Sequence, residues 1–271
     1  MIPAPFDYVR AASVAQALDV LHDHGDRARL LAGGQSLLPM MKLRLAAPEM
    51  LVDISDLDEL RFVRRDGETV AIGGGTRYAD LALSDVIRQS VPLIARAARR
   101  VGDAQVRYRG TLGGALAHAD PAGDLPTAIL ALDGTIVISG PHGTRTVAAA
   151  DFFIDYYTTA LAADEILTEV RIPVTGAEKC WYDRFSERSA GWPIVAVAVA
   201  GTRIALAGMG ATPLRAVAAE DVLAAGGDFA GAAELAAEGT APVSDQRAHA
   251  DYRRHLARVL TYRALQRAHS R

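Results

Sequence analysis

Apolar positions in the first 56 residues predict one helix and two strands. In the segment 13–25 they recur at helical spacing: Val14, Ala17, Leu18 and Leu21. Ser13 and Gln16 have the spacing of a capping box, and the segment ends on a glycine, as helices often do. Apolar runs at 28–32 and 50–54 predict strands, with room for a short helix between them. The segment therefore predicts a small unit of strand, turn, helix and strand.

From residue 57 to residue 172 the pattern alternates between helix and strand signals. It predicts helices at 77–83, at 92–101 and after Asp124, and strands at 69–73, 135–139, 144–147 and 166–171. The strands flanking Gly140-Pro141-His142-Gly143 predict a hairpin. We interpret the run Gly73-Gly74-Gly75-Thr76 as a strand end followed by a helix cap at Thr76.

A third composition zone begins near Gly176. The stretches KCWYDRFSER, WPIVAVAVA and RIALAGM predict strands, and Ala-rich helix is predicted from residue 216 onward, including 223–241. The closing segment 248–269 is predicted to place these residues near one helix face: Tyr252, Leu256, Val259, Leu260 and Ala264. We predict an α+β protein with domains at 1–56, 57–175 and 176–271.

The first chemical signal is a pair of glycines between a predicted strand and a predicted helix. In LLAGGQSLLPMMKLR, residues 30–44, Gly33 and Gly34 remove the Cβ atoms that would keep an anion from the main chain. The helix that follows begins with unpaired N–H groups and the positive end of its dipole. The pattern indicates a site for a diphosphate, although such a turn alone is a weak signal.

A second glycine pair lies some distance along the chain, in RYRGTLGGALAHADPAGDLP at 107–126. Gly113 and Gly114 follow the hydroxyl of Thr111 and precede the acids Asp120 and Asp124. Neither motif matches GxGxxG or GxxxxGK[ST], which disfavours a Rossmann dinucleotide site and a P-loop. Two Gly-Gly loops fit a cofactor held between two subdomains.

Composition excludes several classes of function. The net charge of -3 gives no broad electrostatic reason to bind nucleic acid or an acidic membrane. Cys180 is the only cysteine, so the chain can form neither an internal disulfide nor a cysteine-ligated iron–sulfur cluster. The sequence has no apolar run long enough for a membrane span and no signal-peptide pattern at its start, so we expect a cytoplasmic protein.

Four segments carry a resemblance to a known family: AGGQSLLPMMKLRL at 32–45, RGTLGGALAHADPAGDLP at 109–126, DEILTEVRIP at 164–173 and ATPLRA at 211–216. With them the chain resembles the FAD-binding medium subunit of the molybdenum hydroxylases, the carbon monoxide dehydrogenase and xanthine dehydrogenase family. The resemblance covers nearly the whole chain. It implies a two-subdomain FAD-binding fold of the PCMH/vanillyl-alcohol-oxidase type, followed by a smaller C-terminal domain of antiparallel strands and helices.

The resemblance also implies which residues bind FAD. The first Gly-Gly loop would lie along the diphosphate, through Leu30, Ala32, Gly33, Gly34, Gln35, Ser36 and Leu37. The second would close the other side, through Thr111, Gly113, Gly114 and Ala115. Asp124 corresponds to an acid directed at the sugar-alcohol region, Leu167 to an apolar contact with the ring system, and Arg184 to a position where many relatives carry Lys. Trp192 corresponds to a Tyr against the flavin, with core packing as its alternative.

The chain departs from the family pattern at two positions near the second glycine pair. Ala115 and Tyr108 stand where the family commonly has Asn, so one side-chain hydrogen bond to FAD is expected to be missing. No cysteine-bearing insertion of the 4-hydroxybenzoyl-CoA reductase branch is present. His118, Asp120 and Asp124 could suggest a metal site, but in a Gly/Ala/Pro loop such residues are more often turn and capping groups.

By resemblance, the subunit takes electrons from two-iron iron–sulfur clusters on a small partner subunit and passes them to an external acceptor. Substrate would be oxidised at a molybdenum cofactor on a large partner subunit, and the complex would be a dimer of heterotrimers. Two alternatives remain open at this point. One is a free-standing FAD-dependent oxidoreductase, and the other is a weakly flavin-binding scaffold subunit.

Overall fold

The computed structural model describes residues 2–175 and 179–270. Its first part, which we call the N-terminal unit (residues 7–53), is a parallel sheet of three strands in the order β1-β3-β2 with two helices. The elements are β1 (Asp7–Arg10), α1 (Val14–His24), β2 (Ala28–Leu31), α2 (Leu37–Lys42) and β3 (Met50–Asp53). The predicted helix and strands are confirmed, and the structure adds β1.

Helix α1 begins as its sequence predicts. The Ser13 hydroxyl accepts a hydrogen bond from the Gln16 N–H, and the Gln16 side chain accepts one from the Ala12 N–H at 2.7 Å. The first bond satisfies an N–H group that the first turn leaves without a partner, and the second pairs the N–H group just before the N-cap. Ala17 and Leu21 are buried on the inner face of the helix, against β2 and β3.

The central unit (residues 63–173) is built on an antiparallel sheet of five strands in the order β4-β5-β10-β6-β7. Its strands are β4 (Val63–Asp66), β5 (Thr69–Gly73), β6 (Thr135–Gly140), β7 (Gly143–Ala148), the small pair β8 (Phe153–Asp155) and β9 (Thr158–Thr159), and β10 (Ile166–Pro173). Its helices are α3 (Tyr78–Leu83), α4 (Asp85–Ser90), α5 (Pro92–Arg100), α6 (Ala104–Arg109), α7 (Leu112–His118), α8 (Asp124–Ala131) and α9 (Ala149–Phe152). Strands β6 and β7 form the predicted hairpin, with Gly140 paired to Gly143.

Two local interpretations of the central unit are wrong. Thr76 is not a helix cap, because α3 has Arg77 at its N-cap and the Thr76 hydroxyl donates to the Phe62 carbonyl at 3.0 Å. Gly113 and Gly114 do not lie in a loop either, since both belong to the first turn of α7. In both places the backbone packs closely against a neighbouring segment, which a local pattern does not reveal.

The C-terminal unit (residues 180–269) is an antiparallel sheet of four strands in sequence order, with three helices among its described residues. The elements are β11 (Cys180–Phe185), β12 (Val195–Ala200), β13 (Arg203–Ala207), β14 (Leu214–Arg215), α10 (Val217–Ala224), α11 (Phe229–Glu234) and α12 (Ala250–His269). The predicted start of this zone at Gly176 lies outside the described residues.

Strand β12 is apolar throughout because both of its faces are covered. Its valines, such as Val197, belong to the core shared with α12, whereas its alanines, such as Ala198, belong to the core shared with α8 of the central unit. Valine fills the wider space against α12, and alanine permits a closer approach to α8. This alternation joins the C-terminal and central units through one continuous core.

Two predictions for the C-terminal unit need correction. Tyr252 is 43% exposed, and the buried residue at the start of α12 is Arg253, which donates to the Ile194 carbonyl. The stretch 223–241 is not continuous helix, because Gly226 has a positive φ of 81° and separates α10 from α11. No helix within the described part of the chain is long and apolar enough to cross a membrane.

Candidate functional site

A cavity of about 360 Å³ lies between the N-terminal and central units, with one contribution from the C-terminal unit. The predicted cofactor-binding residues of the N-terminal unit all line it: Leu30, Ala32, Gly33, Gly34, Gln35, Ser36 and Leu37. From the central unit come Thr111, Gly113, Gly114, Ala115, Asp124 and Leu167, and from the C-terminal unit Trp192. Arg184 alone among the predicted residues is not part of the lining.

The first wall offers unpaired backbone donors. Strand β2 ends at Leu31 and α2 begins at Leu37, and among the described residues no hydrogen bond uses the N–H groups of the segment 33–36. The Ser36 side chain makes no capping bond to α2. Such a run of N–H groups without a protein partner beside a cavity can bind an anionic ligand.

Gly33 and Gly34 are needed for different reasons. A Cβ atom on Gly33 would lie 2.2 Å from the carbonyl oxygen of Arg109, which belongs to the opposite wall. Gly34 has a φ of 74°, in the left-handed region that favours glycine. One glycine therefore lets the two walls approach each other, and the other lets the chain turn.

The second wall is built differently from the first. The N–H groups at the start of α7 are already paired: that of Leu112 with the Thr76 carbonyl, that of Gly113 with the Gly74 carbonyl, and that of Gly114 with the Thr111 hydroxyl. A Cβ atom on Gly113 would lie 2.8 Å from the Gly74 carbonyl oxygen. Gly113 therefore serves close backbone packing, and Gly114 presents a surface without a side chain to the cavity.

Asp124 lies at the base of the second wall in a buried polar cluster. Its Oδ1 accepts hydrogen bonds from the Tyr182 hydroxyl at 2.6 Å and from Arg184 Nη1 at 2.9 Å, and its Oδ2 lies 3.1 Å from the same Nη1. The exposed fractions of the Arg184 and Asp124 side chains are 1% and 3%. Burial raises the pKa of Asp124, while the Arg184 charge and the Tyr182 hydroxyl act in the opposite direction. Asp124 is thus an ion-pair partner rather than a turn or capping group.

Several lining residues were not predicted from the sequence. Tyr78, whose ring lies against Gly110, and Gly74, whose carbonyl meets Gly113, both face the cavity. His118 lines it as well, with its ring 5.1 Å from the ring of Tyr157. Burial lowers the pKa of His118. Of these residues the sequence singled out only His118, and as a possible metal ligand rather than as part of a cofactor cavity.

The acids near this wall have separate roles. Asp120 accepts a hydrogen bond from the Ala122 N–H at 2.8 Å, which is the turn role that its sequence context predicts. Among residues 2–175 and 179–270, no group of three or more His, Cys, Asp or Glu side chains could hold a metal ion. Cys180 is buried, and burial raises the pKa of its thiol.

The lining fits a dinucleotide with a flat aromatic ring. Unpaired N–H groups on the first wall suit a diphosphate, and the rest of the lining is predominantly apolar, including Leu167 and Ile166. Trp192 is 51% exposed and lines the cavity, so core packing does not account for this indole.

Comparison with known families covers most of the chain. Residues 4–175 match the FAD binding domain in molybdopterin dehydrogenase, and residues 193–268 match the carbon monoxide dehydrogenase flavoprotein C-terminal domain. The carbon monoxide dehydrogenase medium chain of Hydrogenophaga pseudoflava is 38% identical, over 100% of this chain and 99% of that one. The glyceraldehyde dehydrogenase medium chain of Sulfolobus acidocaldarius is also 38% identical, over 97% of this chain and 98% of that one.

Solved structures agree with these matches. Carbon monoxide dehydrogenase from Hydrogenophaga pseudoflava, in a form that lacks the Mo-pyranopterin moiety of the molybdenum cofactor, superposes with a TM-score of 0.95 and 40% identity, over 99% of this chain and 98% of that one. Quinoline 2-oxidoreductase from Pseudomonas putida 86 gives a TM-score of 0.92 and 33% identity, over 99% and 98% of the respective chains.

Proposed function

This chain belongs to the FAD-binding medium subunits of the molybdopterin dehydrogenases, and from that premise we propose that it holds FAD in the cavity between its N-terminal and central units. It is the FAD subunit of an oxidoreductase complex. When bound, FAD would supply the redox chemistry between a partner's iron–sulfur clusters and an external acceptor. The chain's own residues bind the cofactor, orient it and shield it from water.

The observation that carries this proposal is the run of unpaired N–H groups at 33–36 on the first wall. These donors, together with the Ser36 hydroxyl, hold the diphosphate. Gly114 on the opposite wall leaves room for it, because the only atom near a Cβ built there is the Thr111 hydroxyl oxygen.

Leu167 and Trp192 are the residues of the lining that would hold the ring system of the cofactor. Leu167 provides an apolar contact there, and the half-exposed indole of Trp192 covers a ring face by stacking. Ala115 contributes only its methyl group and backbone, since it has no side-chain donor. Asp124 accepts a hydrogen bond from a cofactor hydroxyl.

The chain works as part of a larger complex. Its relatives include medium chains and a medium subunit, names that describe components of multi-subunit complexes. We assign the molybdenum cofactor to a large partner subunit and the iron–sulfur clusters to a small one, because Cys180 is the only cysteine here. We further propose a dimer of heterotrimers in the cytoplasm, and domain boundaries at 1–56, 57–175 and 176–271.

A pair of matched substitutions tests the cofactor site. Gly34→Ala and Gly67→Ala each place an alanine at a positive φ, 74° and 62° respectively, so each costs a similar backbone strain of about 1 kcal/mol. Gly34 lies in the loop proposed to hold the diphosphate. Gly67 does not line the cavity, and a Cβ added there meets no atom within 4 Å. Titration of the full chain with FAD should show weakened binding for Gly34→Ala and wild-type binding for Gly67→Ala. Equal FAD affinity in both variants would contradict the proposed site.

The visible absorption spectrum of the complex purified from its native host tests the electron route. Flavin bands overlaid by broad iron–sulfur absorbance are expected. Flavin alone would favour a free-standing flavoprotein, and a preparation without flavin would contradict the cofactor itself.

A further inference from the structure

The cluster of Asp124, Tyr182 and Arg184 connects the cofactor cavity to the C-terminal unit. Asp124 lines the cavity, whereas Tyr182 and Arg184 belong to β11 and lie behind it. We propose that Tyr182 and Arg184 are positioning residues, which hold the Asp124 carboxylate so that Oδ2 accepts a hydrogen bond from a hydroxyl group of the cofactor. This inference rests on the proposed function, because it takes the bound molecule to be FAD.

The distribution of hydrogen bonds over the carboxylate indicates which oxygen is available. An ionised carboxylate offers about four lone-pair sites on its two oxygens. Oδ1 accepts from both Tyr182 and Arg184, whereas Oδ2 has only the longer contact of 3.1 Å with Arg184. Oδ2 therefore keeps accepting capacity, and its complement in the cavity is a donor, such as the hydroxyl of a sugar alcohol.

Arg184 is itself held by other parts of the molecule. Its Nη1 donates to the Arg100 carbonyl at 2.8 Å, and its Nη2 donates to the Gly191 carbonyl. These bonds fix the guanidinium from α5 on one side and from the loop before Trp192 on the other. Because its donors are committed in several directions, Arg184 cannot turn toward the cavity, and it acts on the cofactor only through Asp124.

Tyr182 provides the second restraint. Its side chain is buried, and burial raises the pKa of its hydroxyl well above the ordinary value, so the group remains a donor at any physiological pH. The Tyr182 hydroxyl and the Arg184 guanidinium both donate to Oδ1, and together they fix the orientation of the Asp124 carboxylate. The C-terminal unit thereby controls how tightly the central unit holds its cofactor.

A double-mutant cycle tests this role through FAD affinity, measured by quenching of flavin fluorescence on the full chain. In Asp124→Asn, the two donors behind the side chain draw the amide oxygen toward them, and the amide nitrogen replaces Oδ2 at the cavity. Asp124→Asn and Tyr182→Phe should each weaken FAD binding, by about tenfold for the former. Since the acceptor that Tyr182 positions is then already lost, the double variant should bind FAD within about twofold of Asp124→Asn.

Tyr8→Phe is the matched control. The Tyr8 hydroxyl donates to Asp53 Oδ2 at 2.7 Å, the same type of bond, and neither residue lines the cavity. This variant should bind FAD as the wild type does. Arg184→Lys keeps the charge but loses the planar fork, so it should weaken FAD binding in the wild-type background and have no effect in the Asp124→Asn background.

The outcomes separate the inference from the proposed function. If the effects of Asp124→Asn and Tyr182→Phe multiply, or if Tyr182→Phe binds FAD like the wild type, Tyr182 does not act through Asp124 and the inference is wrong. If the wild-type chain takes up no FAD while its thermal unfolding remains cooperative, the proposed function itself fails, and this inference with it. Melting temperatures of all variants, measured without flavin, show separately what each change costs in stability.

Discussion

At Gly33 the N-terminal unit approaches the central unit backbone to backbone. The atom that an added Cβ would meet is the Arg109 carbonyl oxygen, which cannot move aside as the end of a flexible side chain can. At Gly34 the nearest atom is the Leu38 Cδ1, the end of such a side chain. Two adjacent glycines with the same appearance in the sequence therefore tolerate substitution very differently.

Gly33→Ala should destabilise the fold as well as weaken FAD binding. Overpacking against a backbone that cannot yield costs about 1–3 kcal/mol, which urea denaturation of the apoprotein would measure. Gly114→Ala is the comparison, because its added methyl group would lie 2.8 Å from a side-chain atom, the Thr111 hydroxyl oxygen, rather than from backbone, and a helical position favours alanine. Equal loss of stability in the two variants would show that the contact with Arg109 is not tight.

His118 should make stability depend on pH. Burial lowers its pKa, and the Asp120 charge acts in the opposite direction without cancelling that effect. As the pH falls below the ordinary value of about 6.5, the unfolded chain therefore takes up this proton first, and the free energy of unfolding decreases. His118→Gln removes this contribution, so its unfolding free energy should fall less between pH 7.5 and pH 5 than that of the wild type. Parallel pH profiles from denaturant titrations would contradict this.

The residues of the cavity lining could be predicted where a glycine pair or the family resemblance marked them in the sequence. The segment at 33–36 has the unpaired N–H groups that its glycines indicate. The position of Arg184 behind Asp124 could not be predicted, because the two residues are brought together by the packing of β11 against the central unit. Tyr78 could not be predicted either, since an aromatic side chain at the start of a short helix looks like ordinary core.

Among the elements, β12 shows how one strand serves two cores. Its alternation of valine and alanine follows the two faces of the strand, and the smaller residue faces α8. A run of apolar residues indicates a strand buried on both sides, but it does not say which neighbour covers each face. Only the contacts with α8 and α12 assign them.

Ala198→Val should destabilise the protein by about 1–3 kcal/mol, because the added methyl groups enter the packed space between β12 and α8. The exposed Ala224 at the end of α10 provides the control, since Ala224→Val should cost only the difference in helix propensity, about 0.7 kcal/mol at most. Chemical denaturation of both variants would distinguish the two costs. A tolerated valine at position 198 would mean that the C-terminal unit can move away from α8.

The elements that the sequence did not predict have weak apolar patterns, because they are exposed or short. Strands β1 and β4 have the sequences DYVR and VRRD, which are largely polar because both lie at sheet edges and are mostly exposed. Helices α4 and α6 are a few residues long and are recognised mainly by the N-caps Ser84 and Asp103. Patterns of apolar residues predict the interior elements well, since burial is what produces those patterns.

In the whole molecule, the Asp124–Arg184 pair is a buried charge contact between the central and C-terminal units. Removing one partner of such a pair is costly, because the other charge stays buried without compensation. Arg184→Met should therefore lower the free energy of unfolding by about 3–5 kcal/mol. Arg88→Met removes the exposed ion pair with Asp85 and should cost less than about 1 kcal/mol. Thermal unfolding of the full chain measures both losses. An equal decrease in the free energy of unfolding of the two variants would contradict the prediction.

The general position of the cavity could be predicted from the sequence, because two glycine pairs far apart in the chain must come from separate walls. The family resemblance named most of its lining, including Trp192 from a third part of the chain, but it did not show that Tyr182 and Arg184 lie behind Asp124.

The contact at Gly33 also bears on how such a site can evolve. The backbones at Gly33 and Arg109 are in contact with no side chain between them, so the distance between the two walls is set by the main chain alone. Side chains around the lining can be exchanged, as Ala115 illustrates, without altering that gap. Homologous proteins can therefore differ in the side chains that contact the cofactor while the width of the cavity stays the same.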